Sequence, residues 1–354
     1  MELNRIMKAF SSDRPDVNHL NLILMGHAAF QFLNAGCELG VFNLLNKTPK
    51  ITKVEINNYL KLKERPLNCL LLGLTALGLI EKEENNYYNS TIINEIFEND
   101  FWEIFFDIVV FENKIVYLGQ FDFVNSLIAD SNIGLQRVPG NGASLYHRLA
   151  ENQELQNAFY NYMSSWSRMS IPLLINSGVL DEKKKILDVG GGDATNAIEI
   201  AKKFPHIEIS VLELKENISV AKNKIKQSGV QNQIKIIEGD MFSEPFGDNY
   251  DCICFIHQFV IWSREQIVFL LKKALGSLTE NGSLIVFNSI TSDAENGPLF
   301  GALDSAYFLS IPVSGGMVYS WKFYEECLLD SGFRSVEKIE LNTWSPHGIV
   351  VGYK

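Results

Sequence analysis

The chain has few of the features that mark secreted, membrane-bound or metal-binding proteins. Its five cysteines in 354 residues are few and odd in number, and Cys252 and Cys254, on one face of an apolar strand, predict no metal site. No uninterrupted apolar run reaches about 18 residues, the length that spans a bilayer. The first sixteen residues lack the basic, apolar and small-residue order of a signal peptide. We therefore expect a cytoplasmic protein.

Basic residues are also in short supply. Lys and Arg number 31 against 42 Asp and Glu, which gives a net charge of −11. This balance argues against nucleic acid and anionic membranes as partners, because both require clustered positive charge. No repeat or low-complexity tract indicates an assembly scaffold. With 46% hydrophobic residues the chain can bury more than one core, as a two-domain enzyme would.

The most informative segment is residues 185–196, KILDVGGGDATN. An apolar run with Asp188 near its end breaks into three glycines before a predicted helix. Gly190 and Gly192 lack side chains where a backbone approaches a ligand closely, and the helix N-terminus supplies unpaired N–H groups. Such glycines also allow a helix to pack closely on a sheet, so the loop alone does not decide its function.

Further apolar runs alternate with helical patterns downstream. The predicted strands are 208–214, 234–237, 250–257 and 283–290, and the predicted helices between them include 195–204 and 264–278. This alternation predicts an α/β fold with a doubly wound, Rossmann-like parallel sheet. Ligands bind at the carboxyl ends of such strands. There, Glu213 suits ribose hydroxyls, and Asp240 with Met241 and Phe242 suits an adenine ring.

One rival class is that of nicotinamide-binding enzymes. A nicotinamide-binding fingerprint needs a third glycine where the chain has Thr195, so that fingerprint is incomplete. Asp188, Gly190 and Gly192 instead begin a set of motifs in a recognisable order. The set continues with FPHIEISVLEL, GDMF, the Trp-Ser pair at 262–263 and SGF at 331–333.

Together these motifs resemble class I S-adenosylmethionine-dependent methyltransferases. More narrowly, residues from about 159 to 354 are similar to the small-molecule O-methyltransferase family that includes hydroxyindole and plant phenolic O-methyltransferases. The resemblance implies S-adenosylmethionine as cofactor, a small-molecule acceptor and a role in secondary metabolism. The implied cofactor residues are Asp188, Gly190 and Gly192 for the amino acid end, Glu213 for the ribose, and Asp240, Met241 and Phe242 for the adenine.

One departure from the family affects the chemistry. In the phenolic enzymes a His-Asp-Trp-Ser run follows the fourth strand, and its His is the general base. This chain has Val260 at that position, and valine cannot accept a proton. A positioned base contributes about 10²- to 10⁴-fold to the rate. His257, at the end of the fourth predicted strand, is the first replacement candidate, followed by His347 and Asp304, while a structural histidine is an equal alternative for His257.

The acceptor is expected to bind between two apolar segments. In the resembling enzymes the helix at 159–169 packs over cofactor and acceptor, and residues 296–319 form the predicted acceptor wall. The predicted substrate-binding residues are Met163, Trp166, Tyr307 and Phe308. Together with Trp344 they favour an aromatic or apolar molecule. Asp304, within an apolar stripe that includes Leu299 and Leu303, would bind a cationic amine, orient a histidine or face water, and Gly315 with Gly316 predicts a mobile loop.

Without the family base, three acceptors remain chemically reasonable. They are an acidic hydroxyl, an amine that attacks in its neutral form, and an enolisable carbon such as that of an α-keto acid. The resemblance favours O-methylation, with C-methylation as the alternative. A third hypothesis is that the cofactor is bound and serves a different reaction.

The N-terminal third has helical periodicity instead. Residues 51–79 predict two helices joined near 61–66, and residues 79–82 and 87–90 predict a hairpin, a winged-helix layout. A DNA-binding ligand sensor is therefore the alternative of another class, although Arg65 is the only basic residue of the second helix. The resemblance instead implies a dimerisation domain and a homodimer. The predicted domains are 1–100 for dimerisation, 101–180 as a pocket-lining linker and 181–354 for cofactor binding.

Overall fold

The computed structural model describes residues 14–341, 343 and 345–354. The chain forms two compact units, and the boundary between them lies between Asn113 and Lys114. The predicted three-part division, with boundaries at 100 and 180, stays a prediction. Among the described residues, no helix is both long and apolar enough to cross a membrane.

The first unit consists of helices and one small sheet. Its helices are α1 Pro15–Leu24, α2 Gly26–Glu38, α3 Val41–Lys47, α4 Lys53–Leu60, α5 Glu64–Ala76, α6 Thr91–Glu98 and α7 Trp102–Phe111. Its strands are β1 Ile51–Thr52, β2 Ile80–Glu83 and β3 Asn86–Asn89, paired antiparallel in the order β1-β3-β2. The order α4, α5, β2, β3 confirms the predicted pair of helices followed by a hairpin.

Local sequence accounts for where α4 begins. The Thr52 hydroxyl accepts a hydrogen bond from the Glu55 amide at 3.3 Å, and the Glu55 carboxylate accepts one from the Thr52 amide at 2.7 Å. This reciprocal capping satisfies two amides that the helix leaves without partners. The helices of the unit then pack their apolar faces around a core that includes Phe42, Ile56 and Leu74, all fully buried.

The second unit contains a seven-stranded sheet with helices. A π-helical turn, Glu112–Val116, leads into it. Its helices are α8 Tyr117–Gly119, α9 Phe123–Ala129, α10 Leu145–Leu149, α11 Gln153–Ile175, α12 Thr195–Lys203, α13 Lys215–Ser228, α14 Arg264–Ser277, α15 Leu299–Ser310 and α16 Trp321–Asp330. Its 3₁₀ turns are Gln120–Asp122, Ile133–Arg137 and Phe259–Ile261. Its strands are β4 Lys185–Val189, β5 Glu208–Glu213, β6 Ile234–Glu238, β7 Tyr250–Ile256, β8 Leu278–Ser289, β9 Ser335–Glu340 and β10 His347–Tyr353.

The strand order is β6-β5-β4-β7-β8-β10-β9. The first five strands run parallel, as predicted. At one edge the sheet continues beyond these five strands, and there β10 runs antiparallel to both β8 and β9. Only six residues connect β9 to β10, too few for the crossover that a parallel pair requires.

Alternation along the central strand separates two hydrophobic cores. In β7, Cys252 and Cys254 enter one core, and Ile253 and Phe255 enter the other. All four are fully buried. Successive side chains of a strand point to opposite faces, so a strand covered on both sides is apolar throughout. The hydrophobic cores on the two faces of the sheet hold in place the strand ends at which the candidate site lies.

We expect Gly134→Ala to destabilise the second unit. Gly134 lies in the turn Ile133–Arg137, where an added Cβ would overlap the Gly119 carbonyl oxygen and approach the Ser310 carbonyl oxygen to 3.0 Å. Overpacking of this kind costs about 1 to 3 kcal/mol, so the thermal midpoint should fall. The control is Gly276→Ala in α14, where an added Cβ meets nothing within 4 Å and helix propensity improves by about 0.8 to 1 kcal/mol. An unchanged midpoint for Gly134→Ala would contradict the close backbone approach.

Candidate functional site

The glycine loop joins β4 to α12 at the carboxyl edge of the sheet. Gly190 and Gly192 have φ of +71° and +59°, a region that L-residues with side chains rarely occupy. A Cβ on Gly190 would lie 2.6 Å from the Gln258 side chain. The Gln258 Nε2 donates a hydrogen bond to the Gly190 carbonyl oxygen at 2.7 Å. Glycine is therefore required here for both conformation and close approach.

Asp188 lies beneath this loop, one residue before the end of β4, and is 1% exposed. Neither carboxylate oxygen has a hydrogen-bond partner among the described residues. Burial raises the pKa of this carboxyl to about 7, and the negative charge of Glu213 adds a smaller effect. A buried carboxylate is costly unless it meets a cation or donors. The position thus fits a cationic ligand group.

Glu213 ends the neighbouring strand β5 and is 7% exposed. Its Oε2 accepts a hydrogen bond from the Gly192 amide at 2.7 Å. Its Oε1 accepts hydrogen bonds from the Leu214 amide at 2.8 Å and the Asn217 Nδ2 at 3.0 Å. The side chain therefore ties the glycine loop to the end of β5. Oε2 retains acceptor capacity, since a carboxylate oxygen takes two hydrogen bonds.

The third predicted cofactor segment follows β6. The Asp240 Oδ1 accepts a hydrogen bond from the Phe242 amide at 2.9 Å, which fixes the turn. The Phe242 ring meets Trp262 edge-on, with centroids 4.8 Å apart. The Trp262 Nε1 is buried without a partner among the described residues. Because β4, β5 and β6 are adjacent, the seven predicted cofactor residues lie at or just after three neighbouring strand ends. Their individual roles stay predictions.

A cavity lies beside these loops. It contains about 480 Å³ of space not occupied by atoms, its open mouth included. Six of its thirteen lining residues are Phe, Tyr or Trp. The walls consist of Tyr146, Phe159, Tyr162, Met163, Trp166, His257, Val260, Ile261, Asn288, Ser289, Asp304, Tyr307 and Phe308. All four predicted substrate residues thus line one cavity, together with Asp304 and His257.

Other parts of the predicted acceptor wall lie elsewhere. Leu299 and Leu303 are 71% and 67% exposed, so the predicted stripe with Tyr307 and Phe308 is wrong in its first half, where α15 faces outward. Trp344 lies outside the described residues.

The Gly315-Gly316 loop packs against the turn after β7. A Cβ on Gly316 would lie 2.5 Å from the Val260 carbonyl oxygen. The Tyr319 hydroxyl donates to the carbonyl oxygens of Trp262 and Gly315, at 2.8 and 2.9 Å. Close approach therefore accounts for a glycine at Gly316, and the loop's motion stays a prediction.

The sequence reasoning missed several cavity residues. Asn288 is fully buried in β8, where its Nδ2 donates to the Tyr324 hydroxyl at 3.3 Å and its Oδ1 has no partner among the described residues. Asn288 and Ser289 interrupt the apolar run SLIVFNSI at a strand's carboxyl end, a signal that could have identified them. Tyr146 and Tyr162 gave no such signal, because aromatic residues in helices also build cores.

His257 follows β7 directly, with φ of +57°. Its backbone amide donates to the Phe287 carbonyl oxygen at 2.8 Å, and its Nε2 lies 3.0 Å from the Ser170 Oγ. Burial lowers the pKa of the ring to about 3. The ring is therefore neutral at physiological pH and can accept a proton or a hydrogen bond.

His347 is the first residue of β10 and is 1% exposed. The flanking Pro346 and Gly348 are typical of a turn, whereas the residue belongs to the sheet. Its Nδ1 lies 2.6 Å from the Ser345 Oγ, and its Nε2 has no partner among the described residues. Its ring centroid is 5.1 Å from that of His257. Burial, together with His257, lowers the pKa of His347 well below 6.5.

Val260, at the family's base position, is 5% exposed and lines the cavity. The wall therefore presents an apolar group where the resembling enzymes have a proton acceptor. His257 lines the same cavity and contributes an imidazole to it. The His347 ring packs against Trp166 and His257, which line the cavity. Of the three predicted catalytic residues, His257 and Asp304 line the cavity and His347 does not.

Comparison with known proteins decides the family. A model of the O-methyltransferase domain matches residues 129–334, and a model of the O-methyltransferase dimerisation domain matches residues 21–97. The L-tyrosine C(3)-methyltransferase of Streptomyces lavendulae is 43% identical over 341 residues, 96% of this chain and 93% of that protein. The chain belongs to this O-methyltransferase family. The methyltransferase is therefore an enzyme that uses S-adenosylmethionine, as the motifs predicted.

Solved structures agree with the fold. The apo form of the S-adenosylmethionine-dependent methyltransferase SibL is 37% identical and matches with a TM-score of 0.88 over 96% of this chain and 99% of that one. Human N-acetylserotonin methyltransferase in complex with S-adenosylmethionine is 20% identical and matches with a TM-score of 0.80 over 97% and 99%. The predicted α/β Rossmann-like fold with an N-terminal dimerisation domain is confirmed.

We expect the affinity of the methyltransferase for S-adenosylhomocysteine to depend on pH through Asp188. The pKa of this carboxyl is raised to about 7, so the charged form that an ammonium group requires grows as pH rises from 6 to 8. Affinity should increase over this interval, by up to about tenfold per pH unit below the pKa. Calorimetric titration at several pH values measures it.

The variant for this measurement is Asp188→Asn, which should weaken binding and remove the pH dependence. Asp181→Asn, the same substitution at an exposed loop position, is the control and should match the unmodified protein. A constant affinity between pH 6 and 8 would contradict the role of Asp188.

Proposed function

We propose that the methyltransferase transfers a methyl group to the ring carbon beside the hydroxyl of a phenol, with L-tyrosine or a close derivative as acceptor. The observation that carries the proposal is the 43% identity, over nearly the whole of both chains, with an L-tyrosine C(3)-methyltransferase. The aromatic walls of the cavity support it independently, because flat apolar surfaces suit a phenol ring.

The cofactor would lie along the ends of β4, β5 and β6. When bound, S-adenosylmethionine supplies a methyl group on a positively charged sulfur. The unpartnered carboxylate of Asp188 fits the ammonium group of its amino acid end, and Gly192, where an added Cβ meets nothing within 4 Å, leaves room in the loop. The Oε2 of Glu213 would accept a hydrogen bond from the ribose. Asp240, with Met241 and Phe242, would hold the adenine.

Val260 favours carbon over oxygen as the acceptor atom. Transfer to a phenol oxygen gains from a base placed at the hydroxyl, and the usual base position has none. The ring carbon beside the hydroxyl is itself nucleophilic, because the oxygen lone pair is delocalised into the ring. The C–C bond forms as the S–C bond breaks, the sulfur leaves as a neutral thioether, and the ring carbon then loses its hydrogen as a proton.

His257 suits the proton transfer in this reaction. Positive charge passes from the donor to the acceptor as the C–C bond forms, so the acceptor's hydroxyl becomes strongly acidic. A weak base is then sufficient, and a neutral ring does not repel the sulfonium. The Ser170 hydroxyl donates to the Ser167 carbonyl oxygen at 3.4 Å and lies 3.0 Å from the His257 Nε2. The Nε2–H would therefore donate to Ser170, and the unprotonated Nδ1 would receive the proton. When the ring carbon then loses its hydrogen, the oxygen regains a proton, so one proton in total is released for each methyl group transferred.

We also propose that the active form is a homodimer. The match to the dimerisation domain supports this state, and so does α1, which has no buried residue. Its apolar side chains Leu20, Ile23 and Leu24 are 54%, 65% and 70% exposed, and a partner chain would cover them. The DNA-sensor alternative loses its basis, since the same segment is accounted for by dimerisation. The cytoplasmic location and the role in secondary metabolism stay predictions.

Deuterium retention distinguishes carbon from oxygen transfer. We expect that tyrosine deuterated at both ring carbons beside the hydroxyl loses one deuterium for each methyl group gained, because the new C–C bond replaces a C–D bond. Mass spectrometry of the product measures the loss. Tyrosine deuterated at the other two ring carbons is the control and should retain both labels. A methylated product that retains every label in both substrates would assign the methyl group to oxygen or nitrogen.

Substitution of His257 tests the base. His257→Gln should lower kcat by about 10²- to 10⁴-fold and leave the affinity for S-adenosylhomocysteine unchanged. Since burial lowers the pKa of His257 to about 3, the ring stays neutral as pH falls through 6.5. The kcat of the unmodified enzyme at saturating cofactor should therefore show no loss there.

The control is His206→Gln, at an exposed histidine, which should leave kcat unchanged. A His257→Gln enzyme with full kcat, or a loss of kcat centred near pH 6.5 in the unmodified enzyme, would rule out a buried neutral histidine as the base.

A further inference from the structure

The cavity walls differ sharply in charge. Asp304 supplies the only carboxyl group among the described residues that line the cavity. The remaining lining groups are aromatic, aliphatic, amide, hydroxyl or imidazole, and burial keeps the His257 imidazole neutral by lowering its pKa to about 3. No Lys or Arg is among these lining residues. The cavity therefore attracts a positive group and offers no cation to a negative one.

Asp304 is placed among aromatic faces. It lies in α15, where Tyr307 and Phe308, three and four residues further on, share its side of the helix. Their rings are 4.9 Å apart at 64°, Tyr307 is 6% exposed and Asp304 is half-buried. Aromatic faces attract cations, with a stronger effect where water is excluded. A half-buried carboxylate beside two rings is the combination that binds an alkylammonium group.

The strand ends contribute neutral polar groups to the cavity, in contrast to the carboxyl group of Asp304. His257 and the carboxyl end of β8, with Asn288 and Ser289, contribute an imidazole, an amide and a hydroxyl to the same cavity. These groups can accept and donate hydrogen bonds without carrying charge, which suits a phenol hydroxyl. The cavity thus has neutral polar groups from the sheet and a negative group from α15.

We infer that Asp304 binds the ammonium group of the acceptor and thereby selects an aromatic amine or amino acid over a neutral or acidic phenol. The inference rests on the proposed function, because it assumes a phenol in this cavity. It adds that recognition depends on the acceptor's ammonium group and not on its carboxylate. Asp304 is a specificity residue in this scheme, and the proton transfer needs no contribution from it.

Four phenols separate these contributions in calorimetric titrations with S-adenosylhomocysteine present. They are L-tyrosine, tyramine, 3-(4-hydroxyphenyl)propanoate and 4-methylphenol. L-tyrosine and tyramine should bind about tenfold or more tightly than the two phenols without an amine, as one charge-assisted hydrogen bond provides. In Asp304→Asn this preference should disappear, with the affinity for 4-methylphenol unchanged.

Two further variants keep the test decisive. Asp304→Lys should reverse the preference toward 3-(4-hydroxyphenyl)propanoate, a gain that misfolding cannot produce. Ser305→Ala, the neighbouring position on α15 where the hydroxyl donates to the Gly301 carbonyl oxygen of the helix backbone at 2.9 Å, is the matched control and should keep the preference of the unmodified enzyme.

The outcomes separate the inference from the function on which it rests. Equal affinity of the unmodified enzyme for tyramine and 4-methylphenol, or a preference that survives Asp304→Asn, would overturn the role of Asp304 while a phenol acceptor stands. Failure of all four phenols to bind would overturn the phenol acceptor itself, and the inference with it.

Discussion

The parallel register of β4 between β5 and β7 is the constraint on which the site depends. Asp188 pairs with Val211 on one side and with Cys254 on the other. The strands therefore end together, which brings the glycine loop within hydrogen-bond distance of both Glu213 and Gln258, at 2.7 Å in each case. Gln258 follows His257 directly, so the glycine loop and the proposed base are held by one contact. A shift of β4 would separate the cofactor side of the site from the acceptor side.

Burial acts on the ionisable groups of this edge in a consistent way. It raises the pKa of Asp188 to about 7 and lowers that of His257 to about 3. Both shifts favour the neutral form, because a poorly solvated environment disfavours charge of either sign. A positively charged methyl donor then meets no protonated histidine at the strand ends. Asp304, the acid proposed to bind the acceptor, lies on a helix away from the sheet core and keeps more contact with solvent.

Features that arise from residues close together in the chain were predictable from the sequence, and features that arise from distant segments were not. The glycine loop and the acid at the end of β5 were predictable, because the strand-loop-helix pattern that positions them is local and strands end where the apolar run ends. Tyr146 was not predictable, since its place in the cavity depends on α10 meeting strand ends that are far away in sequence. The antiparallel β10 and the burial of His347 were also missed. Both follow from how the last strand inserts between β8 and β9, which no local pattern encodes.

The sequence by itself determined the family, the cofactor and the order of strands and helices, because motifs, apolar periodicity and turn residues act over short stretches of chain. It also determined that a valine stands where related enzymes have their base. Only the tertiary structure decided that Met163, Trp166, His257, Asp304 and Tyr307 face one cavity. It also decided that the pKa of Asp188 is raised to about 7 and that of His257 is lowered to about 3. Those properties arise from burial, and burial is produced by segments that meet only when the whole sheet and its helices have packed.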